Sequence, residues 1–350
     1  MKKYLHLGYP KNFSTSLQRN FFSEHPDIYH LGIGIDSNIG YIDNLSSALF
    51  EVYLKSAKGF KYEEQYPKLK SHIEHHYNEA IKQGKKCFGA SSEHFSFGFT
   101  YESLDFKTKI LRAIDLFGKD DLNVILVIRN QIDLIKSLYR ESVRVGLPGS
   151  FSEFIYNLYK FQDRNYLYDF RYDLVYSCLS DYLPKENIHF LIFEDLRDEN
   201  KQMVKNNNKV SLINKMSIIL DVDYLDVDFQ HFNEALNDKE ILVKSELNKS
   251  NRHDLGREML FSAEIHRQKE YFVNDLGLNE PDELMFQDVI TKRKLIKQSK
   301  ESKGNEESKL SYDCDSIIAE KLIQFYTEGN YNLSELLNVS LPKCYFEMNF

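Results

Sequence analysis

The run Leu122-Asn123-Val124-Ile125-Leu126-Val127-Ile128 limits the possible folds more than any other part of this sequence. A stretch so short and so apolar, broken only by Asn123, has no polar face to give to water. It predicts a strand covered on both sides, as in parallel sheets sandwiched between helices. The flanks agree. Residues 104–117 set Leu104, Phe106, Ile110, Leu111, Ile114 and Phe117 along a helical stripe, and a second helical pattern, 131–144, follows the strand directly. Further strands are expected at 3–8, 86–91 and 188–193, with helical periodicity at 14–24, 46–55, 67–83 and 313–337. Strands alternating with helices predict an α/β fold of three layers, a central parallel sheet flanked by helices. Ligands in such folds bind beyond the carboxyl ends of the strands.

The 350 residues show no internal repeat and are taken as a single domain, 1–350. Two polar stretches, 199–209 and 292–309, lack an apolar period and are expected to be loops. They fall within a mostly helical insertion, 197–312. Hydrophobic residues at 42% and charged residues at 28% exclude global disorder. A formal net charge of -8 argues against non-specific nucleic-acid binding, so positive charge for any anionic ligand must be local. Cys87, Cys178, Cys314 and Cys344 are scattered without a C-x-x-C pair, against a disulfide framework or zinc site and in favour of a reducing compartment. No segment has the apolar length of a membrane span, and no signal-peptide core follows Met1. A cytoplasmic location is expected.

Chemistry concentrates at Leu5-His6-Leu7-Gly8-Tyr9-Pro10-Lys11-Asn12-Phe13-Ser14-Thr15-Ser16. A strand ends in a tight turn and three hydroxyl residues open a helix. Helix N-termini attract anions, so Lys11 at that positive end is unfavourable unless an anion is also bound. The plain alternative is a Ser14 cap and a solvated lysine. A Walker-type loop would need its lysine after the glycines, and here it comes first.

This segment resembles the 5'-phosphosulfate loop of sulfotransferases that use 3'-phosphoadenosine-5'-phosphosulfate (PAPS), where a Pro-Lys pair precedes a Ser/Thr-rich helix start. Phe13 departs from the family's usual Gly or Ala. A second signature agrees. Arg129 at the end of the 122–128 strand, and Ser137 on the following helix, match the family's pair for the 3'-phosphate, with Gln131 replacing a frequent proline. Phe193-Glu194-Asp195-Leu196 resembles the family's aromatic-Glu-Asp-Leu segment, with Phe193 near the adenine. Phe325-Tyr326…Asn330-Tyr331-Asn332-Leu333 resembles its closing helix. The resemblance covers about 1–196 and 313–337 and implies a P-loop-like fold. The family's C-terminal Gly/Lys-rich loop is not visible. Lys249, Arg252 and Arg257 are candidates to replace it, but a solvated basic face is the expected reading.

The resemblance assigns the cofactor PAPS, with 3',5'-ADP as product and no metal. Lys11, Asn12, Phe13, Ser14, Thr15 and Ser16 would hold the phosphosulfate, while Arg129, Ser137 and Phe193 would take the nucleoside end. Asp133, Arg140 and Arg144 share the helical face of Ser137. Lys11 would stabilise the leaving oxygen, and Glu93 or His94 would be the general base. The acceptor is expected to be a hydroxyl of a glycan or glycolipid. The alternatives are a non-catalytic nucleotide-binding protein of the same fold and a P-loop-type kinase. His72, His75 and His76 have ligand-like spacing, but a solvated helix face is expected there.

Overall fold

The computed structural model describes residues 1–32, 40–55, 62–97, 104–162, 165–196, 212–227, 236–251, 283–302 and 309–350, with no side-chain description for 196, 283–290 and 292. Within them lie the strands β1 (Lys2–Leu7), β2 (Ile28–His30), β3 (Cys87–Ser92), β4 (Leu122–Ile128) and β5 (Ile188–Ile192). They form one parallel sheet in the order β2-β3-β1-β4-β5. β1 is central: Leu5 stands opposite Ala90 of β3 on one edge and Val124 of β4 on the other. β2 is missing from the sequence-based expectation because three residues are too few to show a period.

Helices flank both faces. They are α1 (Ser14–Leu17, continued by a π-helical turn Gln18–Phe22), α2 (Asn44–Glu51), α3 (Tyr62–Lys82), α4 (Phe106–Phe117) and α5 (Gln131–Val145). Then follow α6 (Phe151–Lys160), α7 (Tyr172–Ser180), α8 (Leu212–Leu220), α9 (Asp238–Ser250), α10 (Glu283–Glu301) and α11 (Ser316–Leu337). Alternation along the strands divides the core. Leu5, Leu7, Val124, Leu126 and Ile128 pack into one layer with α3, α4 and α5. Tyr4, Ile125 and Val127 pack into the other, against Leu17, Phe21 and Phe22 and the α8 residues Leu212, Ile213 and Met216. Every residue of β4 is buried, as its composition requires.

The loop expected at 292–309 needs correction. Residues 292–301 belong to α10, which buries Leu295 and Ser299. Those two positions lie one turn apart, so the helix docks through a narrow seam that a run of charges conceals. The 199–209 stretch lies outside the described residues. α9 rests on α5, with the Asn248 amide donating to the carbonyls of Val143 (2.8 Å) and Leu147 (2.9 Å). At the other end, α11 meets the first turn of α5 through a reciprocal amide pair. Gln131 Nε2 donates to Asn330 Oδ1 (2.8 Å), and Asn330 Nδ2 donates back to Gln131 Oε1 (3.1 Å). A proline at position 131 has no side-chain amide to make this pair. Among the described residues, no helix is long and apolar enough to cross a membrane, and the four cysteines are free thiols.

Candidate active site

The chain leaves β1 toward β2 and β3 and later leaves β4 toward β5, so the strand order reverses between β1 and β4. The carboxyl ends of these two strands frame a crevice, where open α/β sheets place their ligands. The turns at 8–13 and 129–130 both lie there.

The first turn is tightly built. A Cβ on Gly8 would lie 3.0 Å from Ser14 Oγ and 3.3 Å from Glu93 Cγ, so glycine lets the helix start and Glu93 close in on the strand end. Lys11 (φ 66°) and Phe13 (φ 64°) both adopt left-handed backbone, while Asn12 between them does not. Alternating handedness turns successive N–H groups toward one side, the arrangement of an anion-binding nest. Each left-handed non-glycine residue costs about 1–3 kcal/mol, so packing must fix the turn. Phe13 is fixed by its ring, which stacks on Phe193 with centroids 5.0 Å apart. Asn12 is 1% exposed, and its Nδ2 donates to the Val127 carbonyl at 2.9 Å, tying the turn to β4. Ser14 is buried and donates to the Tyr9 carbonyl at 2.8 Å. The ligand role expected of the Ser14 hydroxyl therefore needs correction, while Asn12 was expected to act through its backbone N–H. Both side chains are engaged inside the turn, and Thr15 and Ser16 beside them are half-buried.

Lys11 crosses the crevice. Its Nζ is 3.5 Å from Glu141 Oε2, on α5 and one turn beyond Ser137. Arg144 holds the same carboxylate, with Nε 2.9 Å from Oε2. Burial alone would raise the Glu141 pKa, but the Arg144 hydrogen bond and charge, with Lys11 added, hold it below the ordinary value. The Lys11 turn and the Ser137 helix thus face each other at the same end of the sheet.

The second turn is braced from three sides. The Tyr172 hydroxyl donates to the Arg129 carbonyl (2.9 Å). The Asn130 N–H donates to Glu194 Oε1 (2.9 Å), and the Tyr345 hydroxyl donates to Glu194 Oε2 (2.9 Å). Burial pushes the Glu194 carboxyl up. Asn130 Oδ1 also accepts from the Asp133 N–H at 3.0 Å, capping α5. The Arg129 guanidinium lies 4.9 Å from the centre of the Phe193 ring. Phe193 is 5% exposed, so it is part of the wall between Phe13 and Arg129 and not an open platform for a base. The half-buried Phe13 is the more accessible aromatic.

The two candidate bases separate. His94 Nε2 lies 2.8 Å from Glu51 Oε2, and Glu51 also accepts from the Tyr41 hydroxyl at 2.7 Å. That buried contact directs His94 toward α2. Glu93, half-buried, stands against Gly8 beside the Lys11 turn. Arg140, on the Ser137 face, is engaged by Asp238 (2.5 Å) and the Tyr312 hydroxyl (3.1 Å), anchoring the insertion. Lys249 pairs with Glu246 on an exposed surface, in line with a solvated basic face, while Arg252 and Arg257 lie outside the described residues. His75 is exposed as expected, but His72 and His76 turn inward to Asp43. Sequence reasoning missed Glu141 and Glu194. The first was findable, being four residues beyond Ser137 on the same helix face. The second was visible only as a capping acid.

Comparison with known protein families gives no match, and comparison with curated proteins gives none either. Among solved structures, the chain overlays on the crystal structure of a sulfotransferase from Alicyclobacillus acidocaldarius. Identity is 16% and the TM-score 0.44, over 77% of this chain and 95% of that one. The reading of the site therefore rests on its own residues.

Proposed function

We propose that this protein is a sulfotransferase that moves the sulfuryl group of PAPS onto an acceptor hydroxyl. The observation that carries the proposal is the meeting of two anion-ready turns at the β1/β4 crevice, with Lys11 reaching α5 one turn from Ser137. A bisphosphorylated nucleotide needs two such sites at one strand end, and the expected family residues supply them. The 9–16 turn would take the phosphosulfate through its backbone N–H groups, Thr15 and Ser16. Arg129 and Ser137 would take the 3'-phosphate, the planar guanidinium forking onto two oxygens.

In the reaction, the acceptor oxygen attacks sulfur while the bond from sulfur to the bridging oxygen breaks. Negative charge grows on that oxygen as it departs with 3',5'-ADP, and the Lys11 ammonium stabilises it. The acceptor proton passes to Glu93, beside Gly8. A positioned ammonium and convergent N–H groups do most of the work in a displacement of this kind. In the free protein Glu141 holds Lys11, and the incoming anion takes its place. A glycan or glycolipid hydroxyl is the proposed acceptor, since a carboxylate base suits a sugar alcohol.

The test has two stages. The melting temperature should rise with 3',5'-ADP and much less with 5'-AMP or ATP. Labelled PAPS should then sulfate at least one member of a sugar and glycolipid panel. Equal shifts for all three nucleotides would sink the PAPS reading. A selective shift without transfer to any acceptor would favour a binding protein of this fold.

A further inference from the structure

α3 carries a second chemical cluster, remote in sequence from the Lys11 turn. His72 and His76, four residues apart, project from one face of the helix toward Asp43, the N-cap residue of α2. Asp43 Oδ1 is 3.3 Å from His72 Nε2, and Oδ2 is 2.8 Å from His76 Nε2. All three ligand-type atoms lie within 4.8 Å of one another. Both imidazole side chains are nearly closed off, at 11% and 10% exposure, whereas Asp43 is 37% exposed.

We propose that Asp43, His72 and His76 form a binding site for a divalent transition-metal ion, zinc by its donor set, that clips α2 to α3. The donors are two imidazole nitrogens and one carboxylate oxygen. Zinc takes this combination, whereas calcium and magnesium prefer all-oxygen shells. Geometry is close to what coordination needs. With bonds of about 2.1 Å, ligand atoms around a tetrahedral ion stand roughly 3.4 Å apart. The two nitrogen–oxygen separations here, 3.3 and 2.8 Å, run to the two oxygens of one carboxylate. One oxygen and both nitrogens already lie within 4.8 Å of one another, and a modest turn of the carboxylate and rings draws them to that spacing. The i,i+4 spacing of the histidines is the one that puts two imidazoles on a single ion from one helix. The exposed side of Asp43 leaves a fourth position for water.

An outer layer of contacts supports the site. The Tyr29 hydroxyl lies 2.9 Å from His76 Nδ1. It fixes the ring from behind and accepts a hydrogen bond from Nδ1–H when Nε2 turns its lone pair to a metal. The Ser46 N–H donates to Asp43 Oδ1 at 2.7 Å and orients the carboxylate, while Ser46 Oγ, 3.0 Å from His72 Nε2, is the contact an incoming ion displaces. A hydrogen-bonded cluster needs only one histidine to hold one capping aspartate. Two rings converging on it through the same nitrogen are what a metal requires.

The experiment uses full-length protein stripped with a chelator, then titrated with zinc chloride or cobalt chloride. Expected are one equivalent bound at micromolar or tighter affinity, a rise in melting temperature, and a visible cobalt spectrum of four-coordinate intensity. Asp43→Asn keeps the helix cap, since asparagine caps as well as aspartate, and His72→Gln keeps the helix. Each should weaken zinc binding roughly 100-fold or more, while Tyr29→Phe should weaken it roughly 10- to 100-fold. His75→Gln, on the exposed face, should change nothing. Stoichiometric zinc binding that persists in both Asp43→Asn and His72→Gln would overturn the proposal. So would wild-type protein that takes up no zinc or cobalt in this range.

Discussion

Lys11 Nζ rests 3.5 Å from Glu141 Oε2, so the ammonium proposed to meet an anionic ligand is already held by a carboxylate. The pair is long and about a quarter exposed at each side chain, and Glu141 keeps Arg144 when Lys11 is lost, so the pair contributes about 0–1 kcal/mol. Lys11→Ala should therefore leave the melting temperature close to wild type and lower sulfuryl transfer about 100- to 1,000-fold. Glu141→Gln should act the opposite way on binding and tighten 3',5'-ADP, because no carboxylate competes for Lys11 and Arg144. Calorimetric titration of both variants with 3',5'-ADP checks this. Weaker binding in Glu141→Gln would mean that Glu141 positions the cations and does not compete with the ligand.

Phe13 sits at φ 64°, where a β-carbon is strained and glycine is not. Phe13→Ala loses the stacking on Phe193 and keeps the strain, whereas Phe13→Gly loses both. The glycine variant should be the more stable of the two by about 1 kcal/mol. Urea unfolding of the pair measures the difference, and an alanine variant as stable as the glycine one would contradict the turn geometry.

The Gln131–Asn330 amide pair joins α11 to the helix that carries Ser137. Gln131→Ala should cost about 1–3 kcal/mol, because the buried Asn330 amide loses its reciprocal partner. Pairing Gln131→Leu with Asn330→Leu should recover part of the loss. A double-mutant cycle in urea reads the coupling.

His6, in β1, is buried with its Nδ1 2.7 Å from Ser91 Oγ. Burial, helped by the charge of His30, lowers its pKa from 6.5 to about 3. Between these values the unfolded chain binds the extra proton and the folded one does not. Falling pH therefore favours unfolding, by about 1.4 kcal/mol per pH unit while this one group titrates. The contribution is complete above pH 6.5 and lost progressively toward pH 3. His6→Leu should flatten the acid limb of stability between pH 7 and 4.5 by one proton. An unchanged slope would show that His6 takes its proton in the folded state.

Much of the sheet was legible because its strands must be apolar on both faces. The expected 122–128 strand is observed at Leu122–Ile128. β2 was not, since Ile28–His30 is a short edge segment whose placement depends on pairing with β3. α10 was misread because one buried seam, Leu295 and Ser299, is too sparse to show a period. At the site, chain order revealed which turns face the crevice, but not which atoms within them do. Ser14 points inward because Gly8 admits the helix start so closely, and Asn12 because its amide reaches the Val127 carbonyl of β4. Only the packed form shows that His94 is held by Glu51 while Glu93 is not turned the same way.

The position of β1 in the sheet has a consequence for how the chain is made. Residues 2–7 are synthesised well before either of their hydrogen-bonded neighbours, residues 87–92 and the strand beginning at Leu122. No described ladder joins the β2–β3 pair to the β4–β5 pair except through this strand. One edge of this apolar strand must stay open after β3 has been made, until the strand beginning at Leu122 follows, and long-range closure of this kind is slow. The turn carrying Lys11 takes shape only when both halves of the sheet have closed on the strand before it.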